Sequence, residues 1–191
     1  MSKWQEEEDS REIVDGLEKG NGKAFLESIG RLRKLADNLD ESQSEEIART
    51  LSKRLWREPH PLVVRGSITA LGVLAAGVTA RVTLEAIARA PEKYPQWMWV
   101  PAAEALLRMG WGWHFTKHFL ASMLNREIDP QKRVTIIQSI NGMSVMGQQL
   151  FKDQKLVKDA AEKAEPEVRD ALMKLLEFAK TKPVNKPLDA S

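Results

Sequence analysis

Apolar residues return along this chain at intervals of three and four, the spacing that lays one apolar stripe along a helix. Ile47, Leu51 and Leu55 form one such stripe, and Leu84, Ile87 and Ala88 another. The pattern predicts helices over "ESQSEEIARTLSKRLWRE" (41–58), "VTARVTLEAIARA" (78–90), "GWHFTKHFLASMLNRE" (112–127) and "MGQQLFKDQKLVKDAAEKA" (146–164). No segment alternates apolar and polar residues with the period of two that a half-buried strand requires.

Between these helices lie others that repeat. Pro59, Pro95, Pro130 and Pro166 are separated by 36, 35 and 36 residues, and an apolar helical segment follows each. "VRGSITALGVLAAG" from Val64, "WVPAAEALLRMGWG" from Trp99, "VTIIQSINGMSVMG" from Val134 and "VRDALMKLLEFAK" from Val168 align at a phase of 34 to 35 residues, and one step back falls on Ile29. Proline before or within a first helical turn loses nothing, because amides there have no intrahelical acceptor. A helix pair recurring at this interval cannot bury its apolar face alone, so stacked pairs are expected. A helix of about residues 10–20 would cap the acidic end, within an N-terminal segment 1–20. The array would span 21–180, and "TKPVNKPLDAS" (181–191), with two prolines and little to bury, is expected to be disordered.

"PLVVRGSITALG" and "PEVRDALMKLL" resemble the first helix of HEAT repeats, in the short form of bilin-lyase-type HEAT-like proteins. The resemblance covers residues 24–180 and implies an all-α fold, a right-handed α-solenoid of about five HEAT-like hairpins. It leaves function open, since such arrays serve as scaffolds, transport receptors, nucleic-acid binders and a few enzymes. A lyase or chaperone-like action on a bilin-carrying protein is implied by the resemblance alone. Val100 and Thr135 stand where Arg65 and Arg169 carry the inter-repeat arginine of the pattern.

Cysteine is absent, which removes disulfides, thiolate nucleophiles and cysteine-based metal sites. There is no apolar run of about 18 residues, and "MSKWQEEEDS" is an acidic start rather than a secretory leader, so a cytoplasmic protein without a membrane segment is expected. Net charge is only +2 but unevenly placed. Residues 1–50 hold 8 basic against 13 acidic side chains, residues 51–150 hold 12 against 6, and residues 151–191 hold 9 against 8. The basic middle would attract an anionic partner.

Catalytic and cofactor motifs fail on inspection. In "GLEKGNGKAF", Leu17 replaces the first glycine of a phosphate loop, Ala24 replaces its Ser or Thr, and no strand precedes it. Gly20 and Gly22 read instead as left-handed residues ending the capping helix. His114 and His118 have the i, i+4 spacing that can share a metal ion, but "HFTKH" lacks the metalloprotease glutamate and Lys117 sits between them. No nucleophile elbow is present. Glu6, Glu7, Glu8 and Asp9 suit the positive end of the first helix. The expectation is a protein that is not an enzyme and holds no metal or cofactor.

The informative cluster is "YPQWMWVPAAEALLRMGWGWHFTKHF", which holds four of the six tryptophans and two of the three histidines. In repeat register Trp99 matches Val64 and Val134 and belongs to the core. Trp111 falls in the turn between paired helices, Trp113 begins the second helix, and Trp97 lies in the entry loop after Pro95. Tryptophans at turns are hard to bury and suit partner anchoring. The second helices carry Arg49, Lys53 and Arg57, then Arg81 and Arg89, then His114, Lys117, His118 and Arg126, then Lys152, Lys155 and Lys158. Arg54 and Arg89 are 35 residues apart, as are Lys117 and Lys152, so charges would form rows. These residues predict an adaptor whose concave, basic, Trp-bearing face (Trp97, Trp111, Trp113, His114, Lys117, His118, Arg81, Arg89, Arg126 and Lys152) takes a protein or peptide with an acidic segment. The alternative is a nucleic-acid binder using the same cations against phosphates and an indole against a base. Acidic interruptions at Glu85, Asp153 and Asp159 would favour protein over nucleic acid.

Overall fold

A computed structural model describes residues 3–57, 60–74, 77–140 and 144–181. Every regular element among them is helical: α1 (Lys3–Lys19), α2 (Gly22–Leu35), α3 (Glu41–Arg57), α4 (Pro61–Val73), α5 (Val78–Ala88), α6 (Gln96–Arg108), α7 (Gly112–Leu124), α8 (Pro130–Ile140), α9 (Ser144–Lys152), α10 (Gln154–Lys163) and α11 (Pro166–Thr181), with a short 3-10 turn at Ala36–Asn38. The chain falls into two compact units, Met1–Ala88 with Trp97–Met109, and Arg89–Gln96 with Gly110–Ser191.

The helix starts are written locally. At α3, Asp40 and Gln43 form a capping box: the Gln43 amide donates to Asp40 Oδ1 at 2.8 Å and the Asp40 amide donates to Gln43 Oε1 at 3.0 Å. Asn21 caps α2 through the Ala24 amide, and Asp129 receives the Lys132 amide just ahead of Pro130. Pro130 and Pro166 each open a helix and Pro95 immediately precedes one, as the sequence predicts, and Pro61, outside the predicted set, opens α4. Pro59 lies outside the described residues. Pro101 stands inside α6, where its missing amide deprives the Trp97 carbonyl of an intrahelical donor.

In the first unit α1 packs on α2 and α3, α2 on α4, α3 on α4 and α5, and α4 on α5. Gly72 brings α4 against Ala105 of α6, where an added Cβ would sit 2.8 Å from the alanine methyl. Polar side chains join α3 to α5 across 31 to 34 residues of chain. Glu45 is joined to Thr79, 34 residues on, and Ser52 to Thr83 at 2.8 Å. Arg54 reaches back to α1, donating to the carbonyls of Glu18 at 2.7 Å and Gly20 at 2.9 Å, with its guanidinium over the Phe25 ring at 5.6 Å. The predicted stripes Ile47, Leu51, Leu55 and Leu84, Ile87, Ala88 are all buried, and Trp99 is core at 2% exposure.

In the second unit α7 packs on α9 and α10, while α11 packs on α8, α9 and α10. Arg133 is 1% exposed and holds three parts of this unit together: it donates to the Met123 carbonyl at the end of α7 at 3.0 Å and pairs with Glu165 just before α11.

Several expectations need correction. The capping helix begins at Lys3, well before residue 10, because its acidic N-terminal run suits the positive end of a helix. Gly20 and Gly22 are not left-handed; the positive φ belongs to Gly110, at 82°. Gly20 is required for close approach instead, since a Cβ there would collide with the Gly16 carbonyl, and Gly22 starts α2. The helix expected over 146–164 is two helices that meet at Asp153, whose carboxylate is drawn to neighbouring side chains. Arg65 is exposed, and Arg169 is exposed beside Asp170, so the bridging arginines are Arg133 and Arg54. Thr181 closes α11, and the rest of the predicted disordered tail, 182–191, lies outside the described residues.

Candidate functional site

Gly110, just ahead of α7, has a left-handed backbone that costs it little because glycine has no Cβ. Trp111 follows as the residue capping α7, and its carbonyl accepts the Phe115 amide at 3.0 Å. From there α7 is two-faced. Gly112, Phe115, Thr116, Phe119, Leu120 and Met123 are buried, whereas Trp113, His114, Lys117 and Ala121 are exposed.

The buried face is tied down by polar contacts as well as apolar ones. Thr116 donates its hydroxyl to Asp153 Oδ2 at 2.6 Å, and Gln149 donates to the same oxygen at 2.8 Å. Gln149 also lies against Gly112, where any Cβ would overlap its amide group. The phase of α7, and with it the direction of the opposite face, is thereby fixed.

On that side four side chains come together. The Lys117 ammonium nitrogen stands 3.9 Å from the centroid of the Trp113 ring. His114 lies edge-on to the Trp113 ring at 5.2 Å and tilted against Trp111 at 4.8 Å. Trp113 nonetheless remains 49% exposed. Two indoles, an imidazole and an ammonium thus make one surface patch on the first two turns of α7. Cation–π contact at an exposed site is worth about 0.5–1 kcal/mol, enough to bias two side chains toward one arrangement.

The structure brings together Trp111, Trp113, His114 and Lys117, but not all the residues the sequence groups with them. His118 is half-buried one turn further along α7. Arg126 is exposed in the turn after α7, Lys152 is the exposed last residue of α9, and Arg89 is exposed beyond the end of α5, its carbonyl accepting from Ser122. Trp97 and Arg81 belong to the first unit. Trp97 is on the first turn of α6, not in an entry loop, and is 40% exposed. Asp153 is bonded to Thr116 on the buried face of α7, whereas Lys117 lies on the opposite, exposed face, so the structure does not place Asp153 between Lys117 and Lys152. Among the described residues no group of three His, Asp or Glu is placed to hold a metal ion, and no helix is long and apolar enough to cross a membrane.

Sequence reasoning missed the residues that hold the patch in place, Gly112, Gln149 and Asp153 with Thr116. The available signal was the 37-residue separation of Thr116 and Asp153, close to the repeat interval. Comparison of the chain with protein-family models, with curated proteins and with solved structures finds no match in any of the three.

Proposed function

We propose that this chain is a HEAT-like repeat adaptor, not an enzyme, which takes a protein or peptide partner bearing an acidic segment on the α7 patch. The observation that carries this reading is the Lys117 ammonium held 3.9 Å over the half-exposed Trp113 ring. An indole whose position is already restricted offers a large apolar contact for little further loss of entropy, which is why tryptophan dominates interface anchors. The adjacent ammonium supplies attraction for a carboxylate at the rim. Hydrogen bonds that recur across about one repeat interval, Glu45 to Thr79 and Thr116 to Asp153, support the repeat-array part of the reading.

The nucleic-acid alternative draws on the same indole and ammonium, but a net charge of only +2 falls short of the strongly basic footprint that phosphate binding calls for. Affinity capture from native lysate, with and without nuclease, separates the two when wild type is run beside Trp113→Ala/Lys117→Glu. A nuclease-resistant partner lost from the double variant supports the adaptor. Capture that disappears with nuclease supports nucleic acid, and capture indifferent to the variant removes the α7 patch from the function.

A further inference from the structure

A separate feature lies in the first unit. Thr50, Lys53, Arg54 and Arg57 follow the i, i+3, i+4, i+7 spacing that places all four on one face of α3. With Glu18, at the end of α1, they line a cleft of about 310 Å³. That volume is at the small end of ligand sites, room for a compact ligand.

The roles of the three cations differ. Arg54 is fixed, its guanidinium donating to the carbonyls of Glu18 and Gly20 and lying over Phe25. Those bonds spend the negative end of the α1 dipole on Arg54 rather than leaving it to repel an anion in the cleft. Lys53 and Arg57 are exposed, and neither has an ion-pair partner among the described residues. The dipole of α3 itself favours a cation in its last turn, which accounts for Arg57, but it does not account for Lys53 one turn earlier lining the same concavity. With Glu18 the only acid among the described residues that line it, the cleft has a positive excess.

We propose that this cleft binds a small phosphate-class oxyanion, either free phosphate or a phosphomonoester. A phosphate dianion brings close to two negative charges and three strong acceptor oxygens, matching a lysine, a forked guanidinium and a hydroxyl that line one cleft from one helix face. A single carboxylate would leave part of this charge unanswered.

The test uses the full chain and two probes, inorganic phosphate and glycerol 2-phosphate, followed through backbone amide shifts, with sodium chloride at equal ionic strength as the screening control. Saturable shifts across residues 50–57 with inorganic phosphate are expected. Lys53→Glu/Arg57→Glu should weaken binding by about tenfold or more, with melting close to wild type because both side chains are exposed. Glu18→Gln should tighten binding, since it removes the one opposing carboxylate while leaving the Glu18 carbonyl for Arg54. Saturation by both probes supports a phosphomonoester site, and saturation by inorganic phosphate alone supports a site for the free ion. Shifts that are linear and matched by chloride, or unchanged by charge reversal, overturn the proposal.

Discussion

Thr79 gives the Glu45 carboxylate two hydrogen bonds, one from its backbone amide at 3.2 Å and one from its hydroxyl, across 34 residues of chain. One side chain of α3 therefore serves as the cap of α5. Gly77 is in place for the same reason, since a Cβ there would stand 3.2 Å from the Glu45 carboxylate.

These bonds give the fold an acid-sensitive contact. The Thr79 hydroxyl, as the largest cause, holds the Glu45 carboxyl below its ordinary value of 4.5, with partial burial acting against it and the Thr79 amide and Arg49 adding to it. A carboxylate lowered in the folded state stabilises that state above its unfolded value and loses this contribution as pH falls through the folded one. Glu45→Gln should therefore cost about 1 kcal/mol near neutral pH. Thermal melts of both proteins across pH should show the gap closing as the pH drops below 4.5.

Arg133 and Glu165 yield an asymmetric pair of substitutions. Arg133 is nearly fully buried, whereas Glu165 is partly exposed. Glu165→Ala strands a buried guanidinium and should cost about 3 kcal/mol, while Arg133→Met, of similar length and apolar, should cost markedly less. Denaturant titrations that ranked the two in the opposite order would contradict the assignment of Arg133 as a paired buried charge.

Two glycines separate close approach from simple helix propensity. Nothing lies within 4 Å of a Cβ built on Gly147 in α9, so Gly147→Ala should stabilise by about 0.5–1 kcal/mol. Gly112→Ala must displace Gln149 from beside α7 and so disturb its bond to Asp153, and it should destabilise. Melting temperatures moving in opposite directions are the expected result.

The helical period made α3, α5, α7 and the buried Trp99 legible in the sequence, because burial of one face is a local pattern. What the pattern could not express was exchange of polar for apolar residues at equivalent positions. Arg133 occupies the register of Val63 and Met98, all three buried, so its departure from the apolar norm marked a bridging residue that a search at the Arg65 position overlooked. The break at Asp153 was invisible for a similar reason: apolar periodicity continues through it, and only contact with Thr116 and Gln149 makes the residue special. At the α7 patch, exposure of Trp113 followed from its place at a helix start, whereas the positions of Lys117 and His114 against it depend on how α7 is phased by the helices behind it.

The most direct test of the adaptor reading is an anisotropy titration of a short labelled glutamate-rich peptide with wild type and with Trp113→Ala, beside melts of both proteins. Loss of an interface anchor should weaken binding by about 2 kcal/mol, roughly thirtyfold, while an exposed truncation should change stability by about 0.5 kcal/mol. Trp99→Ala is the reference for the opposite behaviour, since truncating a buried tryptophan costs about 3–5 kcal/mol of stability. Weakened binding with unchanged melting is the predicted result; binding that ignores Trp113→Ala, or a melting loss comparable to that of Trp99→Ala, would contradict it.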